Sequence, residues 1–165
     1  LDKAKQFVEQ HLTTKPNDGP LQLFYANLLL KSDKQKSIEM FSQLLSKEPE
    51  NVAVLNSLAW TLLETNKLAE ATSHIEKAMT LAPRNPDVLD TYGAVLLASG
   101  KVDQAIQKFE DSLKVRPDHA PVLLNYADAL IKKGEKDKAK TILDKISGDK
   151  SVSAAQVSAL KAKLN

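Results

Sequence analysis

An all-α solenoid of antiparallel helix pairs is predicted by three observations. Four prolines, Pro16, Pro49, Pro83 and Pro117, stand 33, 34 and 34 residues apart. Small and bulky residues keep the same rhythm. Ala4, Ser37, Ala71, Ala105 and Ala139 form one register, Ala26, Ala59, Gly93 and Ala127 a second, and Val8, Phe41, Ile75, Phe109 and Leu143 a third. Between the prolines, apolar residues return at spacings of three and four, the period of an amphipathic helix. A period of about 34 residues built on helix pairs defines an architecture in which each repeat buries its apolar face only against its neighbours.

Residues 1–18 match only the second helix of a repeat, through Ala4, Phe7, Val8 and Leu12 followed by Pro16. The missing first helix reads the chain as a piece of a longer protein with further repeats upstream. It also leaves an apolar face without a neighbour, and exposed faces of that kind pair. Four repeats follow, at residues 19–51, 52–85, 86–119 and 120–147. In the third, Val88, Leu89, Tyr92, Leu96 and Leu97 line one face of the first helix. Val102, Ala105, Ile106, Phe109 and Leu113 line the second.

Gly100 and Gly134 fall where the first helix ends and the chain needs a positive φ, and Asn66 holds that position in the second repeat. The first repeat has lost one residue near Ser32 and Asp33, which accounts for the 33-residue step. Each proline follows the second helix and stops it. The small residues of the two helices are expected to face each other and let the backbones approach. Ser37, polar in an alanine register, is expected to bond back to its own helix. Residues 151–165 read as a capping helix over the last repeat. Ser153 and Gln156 suggest a capping box there; Val157, Leu160 and Leu164 form its apolar stripe, with Lys161 and Lys163 turned to solvent.

Composition narrows the function. A net charge of +2 is too small to argue for nucleic acid or acidic membranes as partners through bulk electrostatics, and no nucleic acid is expected. The lysine-rich stretch Lys132, Lys133, Lys136, Lys138 and Lys140 is broken by Glu135 and Asp137 and has no interleaved aromatic. It reads as a solvated helix surface. No cysteine is present, which removes disulfides and thiolate metal sites. No apolar run approaches the ~18 residues of a membrane span. His11, His74 and His119 are scattered without a second ligand at metal spacing, and no phosphate loop or nucleophile elbow occurs. No enzyme activity, no cofactor and no metal are expected.

The registers resemble the tetratricopeptide repeat across essentially the whole chain. Tyr92-Gly93, Ala105, Phe109 and Pro117 carry the motif in the third repeat. The tryptophan common early in the family's first helix is replaced by Leu55, Leu89 and Leu123. The resemblance implies a right-handed superhelical solenoid whose first helices line a concave groove for a protein or peptide partner. Carried onto this sequence, groove positions are Asn27, Asn56, Trp60, Leu63, Glu64, Asp87, Asp90, Leu97, Leu124 and Asp128. Leu30, Ala94 and Ile131 share these registers.

Trp60, the only tryptophan, is either an exposed anchor or packed against a neighbouring first helix. Asp87, Asp90, Asp128 and Glu64 suggest a partner with basic and apolar residues, although Asp87 also suits a helix N-terminus for its own sake. The family's clamp for a C-terminal carboxylate is not expected. Of Leu23, Asn27, Ser57, Asp87 and Thr91 at the matching positions, only Asn27 fits it.

The runs Leu55 to Trp60 and Leu81 to Thr91 are similar to bacterial tetratricopeptide lipoproteins that accompany exosortase, PEP-CTERM and exopolysaccharide systems. That likeness implies a scaffold in a cell-envelope or protein-sorting assembly, in the periplasm or envelope before the cytoplasm. Two other roles fit the same sequence: a regulatory arm of a larger enzyme or secretion complex, and a homo-oligomer formed through the terminal helices.

Overall fold

The computed structural model describes residues 2–164. Leu1 and Asn165, the outer ends of the two predicted terminal segments, lie outside the described residues. The described residues form ten α-helices and no strand. They divide into two compact units, one ending at Leu81 and one beginning at Ala82.

Unit 1 contains α1 (Asp2–Thr14), α2 (Gly19–Leu29), α3 (Lys34–Lys47), α4 (Val52–Glu64) and α5 (Leu68–Leu81), each packed on the next. Val8 of α1 is buried with Tyr25 and Leu29 of α2, beside Leu12, Leu21 and Met40. Phe41, Leu44, Leu58 and Ile75 continue the apolar interior. The Tyr25 hydroxyl donates to the Glu9 carboxylate, tying α2 to α1. Burial and this bond push the tyrosine up to about 12.

Unit 2 contains α6 (Pro86–Ala98), α7 (Val102–Val115), α8 (Ala120–Lys133), α9 (Lys136–Lys145) and α10 (Ala154–Ala162). Its core joins Leu96, Ile106, Phe109, Leu123, Leu130 and Leu143 with Val157 and Leu160 of α10. The last helix therefore covers α8 and α9 as its apolar stripe predicts. Here the Tyr126 hydroxyl donates to Glu110 at 2.9 Å, and burial with that bond again lifts the phenol to about 12.

The turns show how sequence becomes geometry. Asn66, Gly100 and Gly134 have φ of 59°, 76° and 90°. In each case the next residue donates back to the helix: Lys67 to Leu62, Lys101 to Leu96 and Glu135 to Leu130, all at 2.9 Å. These bonds occupy carbonyls that a helix end would otherwise leave unpaired. The first repeat has no left-handed residue, and Asp33 donates to Leu29 at 2.7 Å in a turn one residue shorter. Asp18, Asp33, Asn51 and Asn85 each accept a backbone N–H in the following helix, capping α2, α3, α4 and α6.

Two local expectations change. Ser37 does not bond its own helix; its hydroxyl donates to the Ala26 carbonyl of α2 at 2.8 Å. The small residue at Ala26 brings the two backbones close enough for this to win. Ser112 does the same across α6 and α7, donating to the Pro86 carbonyl at 2.8 Å. Ser153 caps α10 without a side-chain bond, so the capping box does not form. Gly93 also lies against Phe109: a Cβ there would lie 2.6 Å from the ring.

Candidate partner-binding surface

The first helix of each repeat buries one stripe against its own second helix and leaves another stripe open. In α4, Leu55, Leu58, Ala59 and Leu62 form the buried stripe. Asn56, Trp60 and Leu63 are half-buried and Glu64 is exposed. Trp60 thus lies between the two expectations for it, with part of its indole packed and part open. Its turn of helix carries no charge, and the nearest carboxylate along α4, Glu64, is paired to Lys34 at 3.1 Å. The Oδ1 of Asn56 is buried and accepts no hydrogen bond from the described residues. On α2, Asn27 is exposed and its amide donates to the Leu23 carbonyl at 2.9 Å.

Unit 2 treats the same registers differently. Asp87, in the first turn of α6, pairs with Arg116 from the turn after α7. Asp128 receives Lys163, the residue after α10, at 3.1 Å and Lys132 at 3.5 Å. Lys163 and Lys161 are therefore engaged and not simply turned to solvent; Lys161 donates to Asp144 at 2.6 Å. Asp90 accepts from the Asn125 amide at 3.0 Å. Burial, the largest influence, pushes Asp90 up to about 6, against the pull of the Asn125 bond.

The four acids consequently do not stand as four open charges. Asp87, Asp128 and Glu64 each hold a cation of this chain, and Asp90 rests on a neutral amide. Leu97 and Leu124, expected to line the groove, are only 8% exposed each and belong to the core of unit 2. They are closed because α6 and α8 pack together there. Ala94 and Ile131 remain half-buried.

Arg116, Asn125 and Lys163 lie outside what the sequence reading singles out. Asn125 stands 35 residues beyond Asp90, one repeat and one residue, which is the offset that brings neighbouring first helices into contact. That offset is visible in the repeat arithmetic. The reach of Arg116 and Lys163 is not, since both come from turns and termini outside the registers.

Among the described residues no group of three or more His, Asp and Glu is placed to hold a metal. No helix there is long and apolar enough to cross a membrane.

Comparison with known proteins places the repeat. Family models of the tetratricopeptide repeat match residues 28–86 and 96–164. The chain belongs to the tetratricopeptide repeat family. A thermophilic TPR protein of Thermus thermophilus superposes with a TM-score of 0.81 at 19% identity, over 99% of this chain and 90% of that one. PilF of Pseudomonas aeruginosa gives 0.75 at 26% identity, over 99% of this chain and 74% of its own. The APC/C hetero-tetramer Cut9–Hcn1 gives 0.88 at 16% identity, over 98% of this chain and 33% of that chain. No curated protein sequence matches the chain. The fold is one of protein–protein interaction scaffolds, and proteins of the family are generally non-catalytic.

Proposed function

We propose that the chain is a scaffold that holds a segment of a partner protein on its first-helix faces, with Trp60 as the anchor. The observation that supports this most is the placement of Trp60. A large amphipathic ring stays partly open on α4 while Leu58, Ala59 and Leu62 on the opposite stripe are sealed. Indoles in that situation are the side chains that most often dominate a binding interface. Asn56, one turn earlier, offers an acceptor without a donor of its own. In unit 2, Asp90 is bonded to a neutral amide and not to a cation, and by itself it suits a basic side chain of a partner. The likeness of the runs at 55–60 and 81–91 to envelope lipoproteins supports a place in a bacterial envelope, exopolysaccharide or protein-sorting assembly.

The test is Trp60→Ala. Helicity should stay almost unchanged and melting should fall only modestly, because part of the indole stays open to solvent, while capture of the partner from native lysate is lost. A fall in stability of about 3 kcal/mol, the cost of removing a core aromatic, would make Trp60 structural and end the reading.

One further observation favours self-association as a second reading. Phe7 on α1 is 60% exposed, stacked on His11 at 4.1 Å between ring centroids, and Phe24 on α2 is 51% exposed. Sedimentation should then show a concentration-dependent dimer that Phe7→Ser abolishes. A strictly monomeric chain at high concentration removes it.

A further inference from the structure

Away from the first-helix face, unit 2 carries a cleft of about 290 Å³ between the start of α6 and the second half of α7. Pro83, Leu89 and Val115 give it an apolar wall, and Val115 is 57% exposed although it is a valine. Arg84, Lys108 and Lys114 stand around it, with Asp111 as the one carboxylate.

Asp111 is already engaged. Lys114 donates to it at 2.7 Å and the Gln107 amide at 3.3 Å, and the Lys114 bond above all holds its carboxyl below the usual range. Lys108 lines the cleft and has its ammonium 6.0 Å from the centre of the Tyr92 ring, with no carboxylate of the described residues bonded to it. The mouth is therefore cationic in excess over an apolar floor. Its volume is at the bottom of the ~300–1,000 Å³ range of small-molecule sites, enough for one large side chain and not for a whole ligand.

We propose that this cleft is a second docking surface, for a peptide segment carrying one large apolar side chain flanked by acidic residues. The apolar side chain enters against Leu89 and Val115, and its neighbouring carboxylates meet Arg84 and Lys108. Nothing in this assignment depends on Trp60.

The probe is a fluorescein-labelled pentapeptide with a central phenylalanine between pairs of glutamates, and a control with lysines in place of the glutamates. Both are titrated into the full chain by anisotropy and by amide NMR. The acidic peptide should shift amides of Arg84, Leu89, Lys108 and Val115 and saturate, while the basic one does not. Arg84→Glu with Lys108→Glu should weaken binding at least about tenfold, the equivalent of one lost close charge contact. Val115→Glu, at an exposed position, should do the same, and Trp60→Ala should change nothing.

Equal binding of both peptides overturns the proposal, as do shifts confined to α4 or α8 and failure to saturate by about 1 mM. Concentration-dependent shifts of the same amides without peptide would assign the cleft to a second copy of the chain and also overturn it.

Discussion

Trp60, Ala94 and Asp128 occupy one register, and Asn56, Asp90 and Leu124 another, yet units 1 and 2 put them to different use. In unit 1 the register holds a half-open indole and an amide with an unmet acceptor. In unit 2 it holds a small alanine, a leucine folded into the core, and two aspartates bonded across helices to Asn125 and Lys163. The repeat thus separates two tasks. Its packing registers are nearly invariant from unit to unit, while its open stripe is free to vary, toward an unsatisfied contact surface in one unit and toward internal cross-links in the other. A surface ion pair such as Asp128–Lys163 contributes little stability, so its main effect is to occupy a charge that a partner would otherwise meet.

The packing registers also differ in one informative place. Unit 1 sets Ala26 and Phe41 where unit 2 sets Gly93 and Phe109, and both phenylalanines are fully buried. A methyl at residue 93 would lie 2.6 Å from a ring with no room to retreat. Gly93→Ala should therefore destabilise by about 1–3 kcal/mol through overpacking, in spite of the better helix propensity of alanine. Ala26→Gly, which loosens its helix and removes one buried methyl without any clash, should cost about 1–2 kcal/mol. Urea unfolding of both variants measures the pair. Equal effects would mean that the two units pack this register alike.

A smaller effect is expected from Asp90. Its folded pKa is raised to about 6 by burial, so its stabilising form is the protonated one. That contribution is complete below the unfolded carboxylate pKa of ~3.9 and is lost as pH rises through about 6. Asp90→Asn should therefore gain stability relative to the parent between about pH 4 and pH 7.5, by at most about 2 kcal/mol. Parallel melts at the two pH values read it. An unchanged difference would show that folding does not raise the Asp90 pKa.

The helices, their pairing and their turns are legible in the sequence because packing repeats every 34 residues. Asn66, Gly100 and Gly134 announce their left-handed turns, and Val157 with Leu160 announces a helix with a face to cover. The open stripe is less legible because nothing there is periodic. Asp87, Asp90 and Asp128 read as a row of charges, but their partners come from a turn, from the neighbouring first helix and from the capping helix. Ser37 departs from expectation for a related reason. Its acceptor, the Ala26 carbonyl, is eleven residues away and becomes the better one only once two small residues draw α2 and α3 together. Asn51 and Asn85 carry a signal of their own, an amide side chain directly before an apolar helix, and each does cap the helix that follows.

On the open side of α4, Trp60 either meets a partner or does not. A photo-crosslinking phenylalanine analogue placed at residue 60, with Glu76 on α5 as the control position, would test this in native lysate. The expected result is one protein crosslinked from position 60 and absent from position 76, identified by mass spectrometry and displaced by excess unlabelled chain. The same products from both positions, or none from position 60 while the chain still captures its partner, would contradict the assignment of Trp60 as the anchor.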